Sequence, residues 1–292
     1  MQDRVSIKAN FLQELQVFTQ TLNTYVSTPD KQWTVKGFID IFENIYPISS
    51  DTKIISKILE IHLFSKILTF ANKQGFDLIL AEKQNWYPDI SLISKNDTQI
   101  KFAIDIKTTY RLTENPSFCN GFTLGSHGEY FTNRSSTKNI QFPYNEYLGH
   151  YCLGILYSRN AFSYLEEAKI YSREMLHNIP SVIDNFDFFA QEKWRIASDK
   201  SGSGNTANIG SITHIQDIIQ GNGVFSKLGE RFFDEYWMNY GKIVSPDKLD
   251  KSGKPQVITN LVDYLRFKGK EDAWMSERIV TKKTTANLKS ND

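Results

Sequence analysis

The chain has 292 residues, 40% of them hydrophobic and 23% charged, enough for a full hydrophobic core and ordinary for a soluble globular protein, whether enzyme or binding module. Its formal net charge of +1 gives no general attraction to a polyanion, so any contact with nucleic acid has to be local. Cys119 and Cys152 are too few for a disulfide scaffold or thiolate zinc site, the polar N-terminus lacks a signal peptide's apolar run, and no stretch reaches membrane-spanning length. A cytoplasmic protein is expected.

In chain order, Phe11, Leu12, Leu15, Phe18 and Leu22 recur at helical spacing and predict an amphipathic helix over 8–26. Its apolar face needs a partner, either the chain's own core or a second copy. Ser50 and Asp51 can cap a second, longer helix carrying Ile54, Ile55, Ile58, Leu59, Leu63, Ile67 and Leu68, with Gly75 as its stop. Two strands are predicted next, over 87–93 and 100–110, joined by the polar turn SKNDTQ.

Residues 115–139 are rich in Gly, Ser, Thr and Asn and read as loops or short strands. The run YNEYLGHYCLGILY at 144–157 reads as buried, with helix and strand equally open. Residues 193–198 read as a strand leading into the polar loop SGSGNTANIGS, and Phe232, Phe233, Tyr236 and Trp237 suggest a helix. After Gly241 the chain turns polar and lysine-rich, as a mobile tail does. The division expected is 1–242 as one domain, with 243–292 as an extension.

Chemistry concentrates on Asp89, Asp105 and Lys107. In a strand Asp105 and Lys107 share one face while Ile104 and Ile106 point into the core. If the two strands pair, Asp89 approaches Asp105, and two neighbouring carboxylates make an oxygen-rich site for Mg2+. A lysine beside that site can stabilise charge developing on a phosphate, orient the attacking water or favour the water's deprotonated form. The bland alternative is an exposed Asp105–Lys107 ion pair. Glu60, set in the apolar second helix, is either a solvated face or a third acidic group of the same site. His62, His127, His150, His177 and His214 are isolated and read as structural rather than as zinc ligands.

The segments IYPISSDTK (45–53), QNWYPD (84–89), AIDIKTTY (103–110), STKNI (136–140) and GSGNTANIGS (202–211) resemble, in the same order, those of the EcoRV-like type II restriction endonucleases. These belong to the PD-(D/E)XK nuclease superfamily, and the likeness covers roughly residues 43–240. It implies an α/β fold, with a restriction-endonuclease-like core of central mixed β-sheet flanked by helices. It further implies a homodimer that cuts both strands of double-stranded DNA, with the N-terminal helix one candidate for the dimer contact. By the same resemblance Asp89 and Asp105 bind Mg2+, Lys107 is the catalytic lysine, and Glu60 is an accessory carboxylate.

Gly202, Ser203, Gly204, Asn205 and Thr206 would read base edges, and Gln84 and Asn85 would meet the minor groove or backbone. Thr52, Lys53, Thr108, Thr109, Lys138 and Asn139 would lie near phosphate. The implied target is GATATC, cut at its centre to leave blunt ends with 5'-phosphates, with a cognate DNA methyltransferase in the same system. Two departures stand out: Ala207 replaces the family's threonine, and EYWMNYGK at 235–242 lacks its arginines. The rival readings are a structure-specific repair or junction nuclease of the same superfamily, and a non-catalytic DNA-binding protein.

Overall fold

A computed structural model describes residues 3–83, 85–161, 168–202, 207–249 and 252–270. The first helix, α1 (Arg4–Val26), buries Phe11, Leu15, Leu22 and Val26. Its partner is the chain's own core: the Phe11 ring stacks on Phe102 at 3.8 Å between centroids. Gln16 and Asn23 donate side-chain hydrogen bonds to the Ala190 and Phe186 carbonyls. The second helix, α2 (Thr52–Lys73), starts where expected, because the Asp51 carboxylate accepts from the Lys53 and Ile54 N–H groups. It points Ile55, Leu59, Leu63 and Ile67 into the core and leaves Ile54 and Leu68 exposed. It ends before Gly75, whose φ of +77° favours a residue without Cβ.

The strands in chain order are β1 (Gly37–Ile39), β2 (Ile45–Pro47), β3 (Phe76–Leu80), β4 (Ile90–Ser94), β5 (Lys101–Leu112), β6 (Asn115–Cys119) and β7 (Thr123–Ser126). They continue as β8 (Tyr147–Arg159), β9 (Ile183–Glu192), β10 (Ala197–Ser201), β11 (Asn208–Ser211), β12 (Val244–Leu249) and β13 (Pro255–Val257). The main sheet runs β3-β4-β5-β8-β9, with β6 also pairing with β5. It is mixed: β5 and β8 run parallel, while β4–β5 and β8–β9 are antiparallel.

β8 accounts for the ambiguous run at 144–157. It is buried on both faces along most of its length, so it shows no alternation. A smaller sheet, β10-β11-β7, carries the two ends of the 202–207 loop.

Two expectations are corrected. Residues 193–198 do not form a strand: Lys193–Ile196 make one helical turn, and β10 begins only at Ala197. Lys193, Trp194 and Ile196 are all buried, which mimics a strand in sequence, but the chain must turn here to pass from the main sheet to the smaller one. The polar segment after Gly241 is not a bare tail, because it holds β12, β13 and the helix Leu261–Phe267 before the described residues end at 270.

The chain divides into two compact units, Met1–Gly229 and Glu230–Asp292. Within the second, the Tyr264 ring meets Tyr236 edge-on at 5.3 Å, and Lys268 pairs with Glu235 at 2.6 Å. Among the described residues no helix is long and apolar enough to cross a membrane.

Replacing Phe11 by alanine opens a void between α1 and β5. Urea unfolding is expected to show a loss of about 3–5 kcal/mol, against about 1 kcal/mol for Asp51→Ala at the helix cap.

Candidate active site

The antiparallel register Ile90↔Ile104 sets Asp89 opposite Asp105 at the end of the β4–β5 pair. The Asp89 N–H donates to Asp105 Oδ1 at 3.3 Å, and the Ile106 N–H donates to Asp89 Oδ2 at 2.8 Å. Lys107 Nζ lies 3.2 Å from Asp105 Oδ2 and 3.6 Å from Asp89 Oδ2. Alternation along β5 sends Phe102 and Ile104 into the core and leaves Asp105 and Lys107 on the other side.

Burial disfavours the charge of Asp89 and raises its pKa. Lys107 opposes that, while Asp105 and, more weakly, Glu60 reinforce it. Burial acts to strip the proton from Lys107 as well, but Asp105 and Asp89 outweigh it and hold the ammonium above the ordinary lysine range. Two carboxylates against one ammonium leave the site net negative. Its donors are all oxygen, which suits a hard divalent cation such as magnesium.

Glu60 faces the same cleft but pairs with Lys57 at 2.7 Å. Among the described residues no three His, Cys, Asp or Glu side chains converge into a metal cage. The cleft has a volume of about 870 Å³ and gathers Thr52, Lys53, Glu60, Asp89, Lys107, Thr108 and Thr109 from three separate segments. Thr109 is already engaged, its hydroxyl donating to the Asn120 carbonyl.

Lys138 and Asn139 are exposed and do not line the cleft, but the Asn139 carbonyl accepts from the Tyr87 N–H at 3.0 Å, which ties that segment to 85–89. Asn85 is exposed. Gly202 lies at the foot of the proposed reading loop and packs so closely that a Cβ there would fall 2.7 Å from Thr123, a cleft residue. Gln84, Ser203, Gly204, Asn205 and Thr206 lie outside the described residues.

A family model described as restriction endonuclease EcoRV matches residues 29–269. The type II restriction enzyme EcoRV of Escherichia coli is 39% identical over 212 residues, spanning 72% of this chain and 84% of that enzyme. The chain belongs to the EcoRV restriction endonuclease family. It is a type II restriction endonuclease, a hydrolase acting on double-stranded DNA.

For a restriction endonuclease of this family, the cleft holds cations that sequence reasoning missed. Lys57 and Lys83 line it beside Lys53 and Lys107. Lys57 follows Lys53 by one helical turn, and that i, i+4 spacing was the signal that could have found it. Tyr87 was also missed. It is buried two residues before Asp89 and shares a 2.9 Å hydrogen bond with His150. Burial, followed by the nearby charges of Lys193, Arg134 and Lys8, pushes the His150 imidazole far toward its neutral form.

The raised pKa of Asp89 has a consequence for stability. The folded chain holds this proton more tightly than the unfolded chain, so at neutral pH the charged carboxylate works against folding. Below the ordinary aspartate pKa of about 3.9 both states are protonated and the penalty is gone. Asp89→Asn should therefore raise the melting temperature at pH 7 in EDTA, with the gain shrinking to nothing near pH 3. An unchanged or lower melting temperature at pH 7 contradicts this.

Proposed function

We propose that the chain is a magnesium-dependent homodimer that cuts both strands of duplex DNA at a palindrome, GATATC, at its centre. The observation that carries the reading is the convergence of Asp89, Asp105 and Lys107 within 3.6 Å at the edge of an open cleft. Asp89 and Asp105 would hold magnesium, with Glu60 available to the same site after release from Lys57. Magnesium, when bound there, supplies Lewis-acid polarisation of the scissile phosphate and neutralises charge.

Lys107 does the rest through its proton. Before a cation binds, Asp105 and Asp89 hold Lys107 as the ammonium, which makes it a hydrogen-bond donor. It can donate to a phosphate oxygen as negative charge grows there and can orient the incoming water. Water attacks phosphorus and gives up a proton to solvent, the bond to the 3' oxygen breaks, and the leaving oxygen takes a proton from a solvent water. The products are a 5'-phosphate and a 3'-hydroxyl.

The target follows from the likeness of the 202–211 loop. Asn205 offers paired donor and acceptor to adenine, and Thr206 a methyl to thymine. Thr52, Lys53 and Thr108 line the cleft at positions suited to the DNA backbone. Two-fold symmetry of the target calls for two identical sites. A surface suited to self-association is available: Phe38, Ile39, Ile41 and Phe42 around the β1–β2 hairpin are all exposed, Ile41 at 91%. A cytoplasmic enzyme of this kind requires a partner methyltransferase to protect its own genome.

Plasmid DNA of known sequence, digested with magnesium, should yield discrete bands whose ends map to blunt cuts within GATATC. EDTA should abolish them, and Lys107→Ala should slow cleavage by about 100-fold or more. Bands at another palindrome would overturn the target. Random nicking, or a preference for branched DNA, would overturn the site-specific reading in favour of a structure-specific nuclease.

The hairpin makes a separate expectation. The double substitution Ile41→Glu, Phe42→Glu should shift the chain to a monomer in sedimentation equilibrium and remove double-strand cleavage. A persisting dimer would place the contact elsewhere.

A further inference from the structure

Where β5, β8 and β9 lie side by side, Phe102, Ile104, Leu153, Ile155 and Ala190 enter the main core. The residues between them share the opposite face, which carries Asp105 and Lys107. On that face the side chains form rows across the three strands. Asp105 pairs with Cys152 and Cys152 with Gln191; one step along, Lys107 pairs with Gly154 and Gly154 with Phe189. Neighbours within a row stand about 5 Å apart.

The middle of the Lys107 row has no side chain of its own. A Cβ on Gly154 would fall 2.0 Å from two carbons of the Phe189 ring and 2.7 Å from a third. The ring therefore occupies the place that a residue-154 side chain would take, directly beside Lys107. Phe189 is only 3% exposed, and Cys152 and Leu156, before and after Gly154 on the same face, are buried as well. An apolar wall thus runs along the β8 side of Lys107.

The carboxylates leave a problem that such a wall solves. A lysine carries about 2 kcal/mol of rotamer entropy in its four-carbon stem, so its ammonium wanders unless it is held. Here Asp105 and Asp89 hold it, at 3.2 and 3.6 Å. Both are the groups proposed to take magnesium, and a carboxylate engaged by a cation offers less to an ammonium. Something other than those two must then fix the stem.

We infer that Phe189 is a positioning residue whose ring, seated over Gly154, walls the stem of Lys107 and keeps its ammonium at the carboxylate pair during cleavage. The inference rests on the proposed role of Lys107. Its physical basis is close packing, since a dense interior passes a displacement on instead of absorbing it. A group that acts on a reacting phosphate must be held to about 0.5 Å, so a loosened wall is enough to spoil it.

Phe189→Leu keeps the position apolar and shortens the wall. Single-turnover cleavage at the mapped target is expected to slow about tenfold, as a small misplacement of a catalytic group does. Affinity for the same DNA without magnesium should hold within about twofold. Because Phe189 acts through Lys107, the same substitution made in Lys107→Ala should slow the residual cleavage by less than about twofold. If the leucine variant does not fold, Phe189→Met, which fills the space with a more flexible chain, carries the same comparison.

A merely structural role predicts an equal proportional loss with and without Lys107. That result, or a Phe189 variant that cleaves at the parent's rate, would overturn the inference. Lys107→Ala alone separates it from the reading beneath it. If Lys107→Ala cleaves as fast as the parent, the role of Lys107 fails; if it is slow while Phe189→Leu matches the parent, only the role of Phe189 fails.

Discussion

Two carboxylates and an ammonium have to be held together at the rim of a cleft, and the pairing of β4 with β5 is what holds them. The register that sets Ile90 against Ile104 also brings the Asp89 N–H to Asp105 and the Ile106 N–H to Asp89. A slip of one residue would exchange the faces of the strand, sending Asp105 toward Phe11 and Phe76 and exposing Ile104. The core forbids that slip, because Phe102 is locked between Phe11 and Tyr151. The hydrophobic packing that stabilises the sheet therefore also aims the two carboxylates and the ammonium. The cluster inherits its precision from the core.

That arrangement sets a conflict that the chain tolerates. Asp89 carries its charge at a cost, since burial and Asp105 both disfavour it. Lys107 relieves part of the strain by bridging both carboxylates, but the balance is still negative. The carboxylate pair repels phosphate until a cation arrives, while Lys53, Lys57 and Lys83 elsewhere in the cleft supply the local positive charge that a chain of formal charge +1 lacks overall. Glu60 shows the same economy: its contact with Lys57 is half-exposed and therefore weak, so either partner is free to be redirected when DNA fills the cleft.

Much of this was legible in the residues. The alternation of AIDIK places Asp105 and Lys107 on one face, and the Asp51 cap and the apolar spacing of α2 locate the helix that carries Glu60. What stayed hidden has physical reasons. β9 was not assigned, because Asp184, Asn185 and Asp187 interrupt any alternation; Asp184 is instead bridged to Gln32, and Asp187 pairs with Arg111. β8 has no polar face to betray it, being covered on both sides. The pairing of Tyr87 with His150 spans 63 residues, and local spacing carries no trace of such a contact. The second compact unit was obscured by its lysines, since its order rests on a few aromatic contacts such as Tyr236 with Tyr264.

The near-neutral charge bears finally on how selectivity is reached. Non-specific affinity for DNA comes from phosphate neutralisation, and a chain with little excess charge collects little of it outside the cleft. Base contacts then weigh more heavily in the total. Each good bidentate contact discriminates by about 1–3 kcal/mol, and a two-fold assembly meets every contact twice. Binding alone still leaves a wrong site occupied when DNA is abundant.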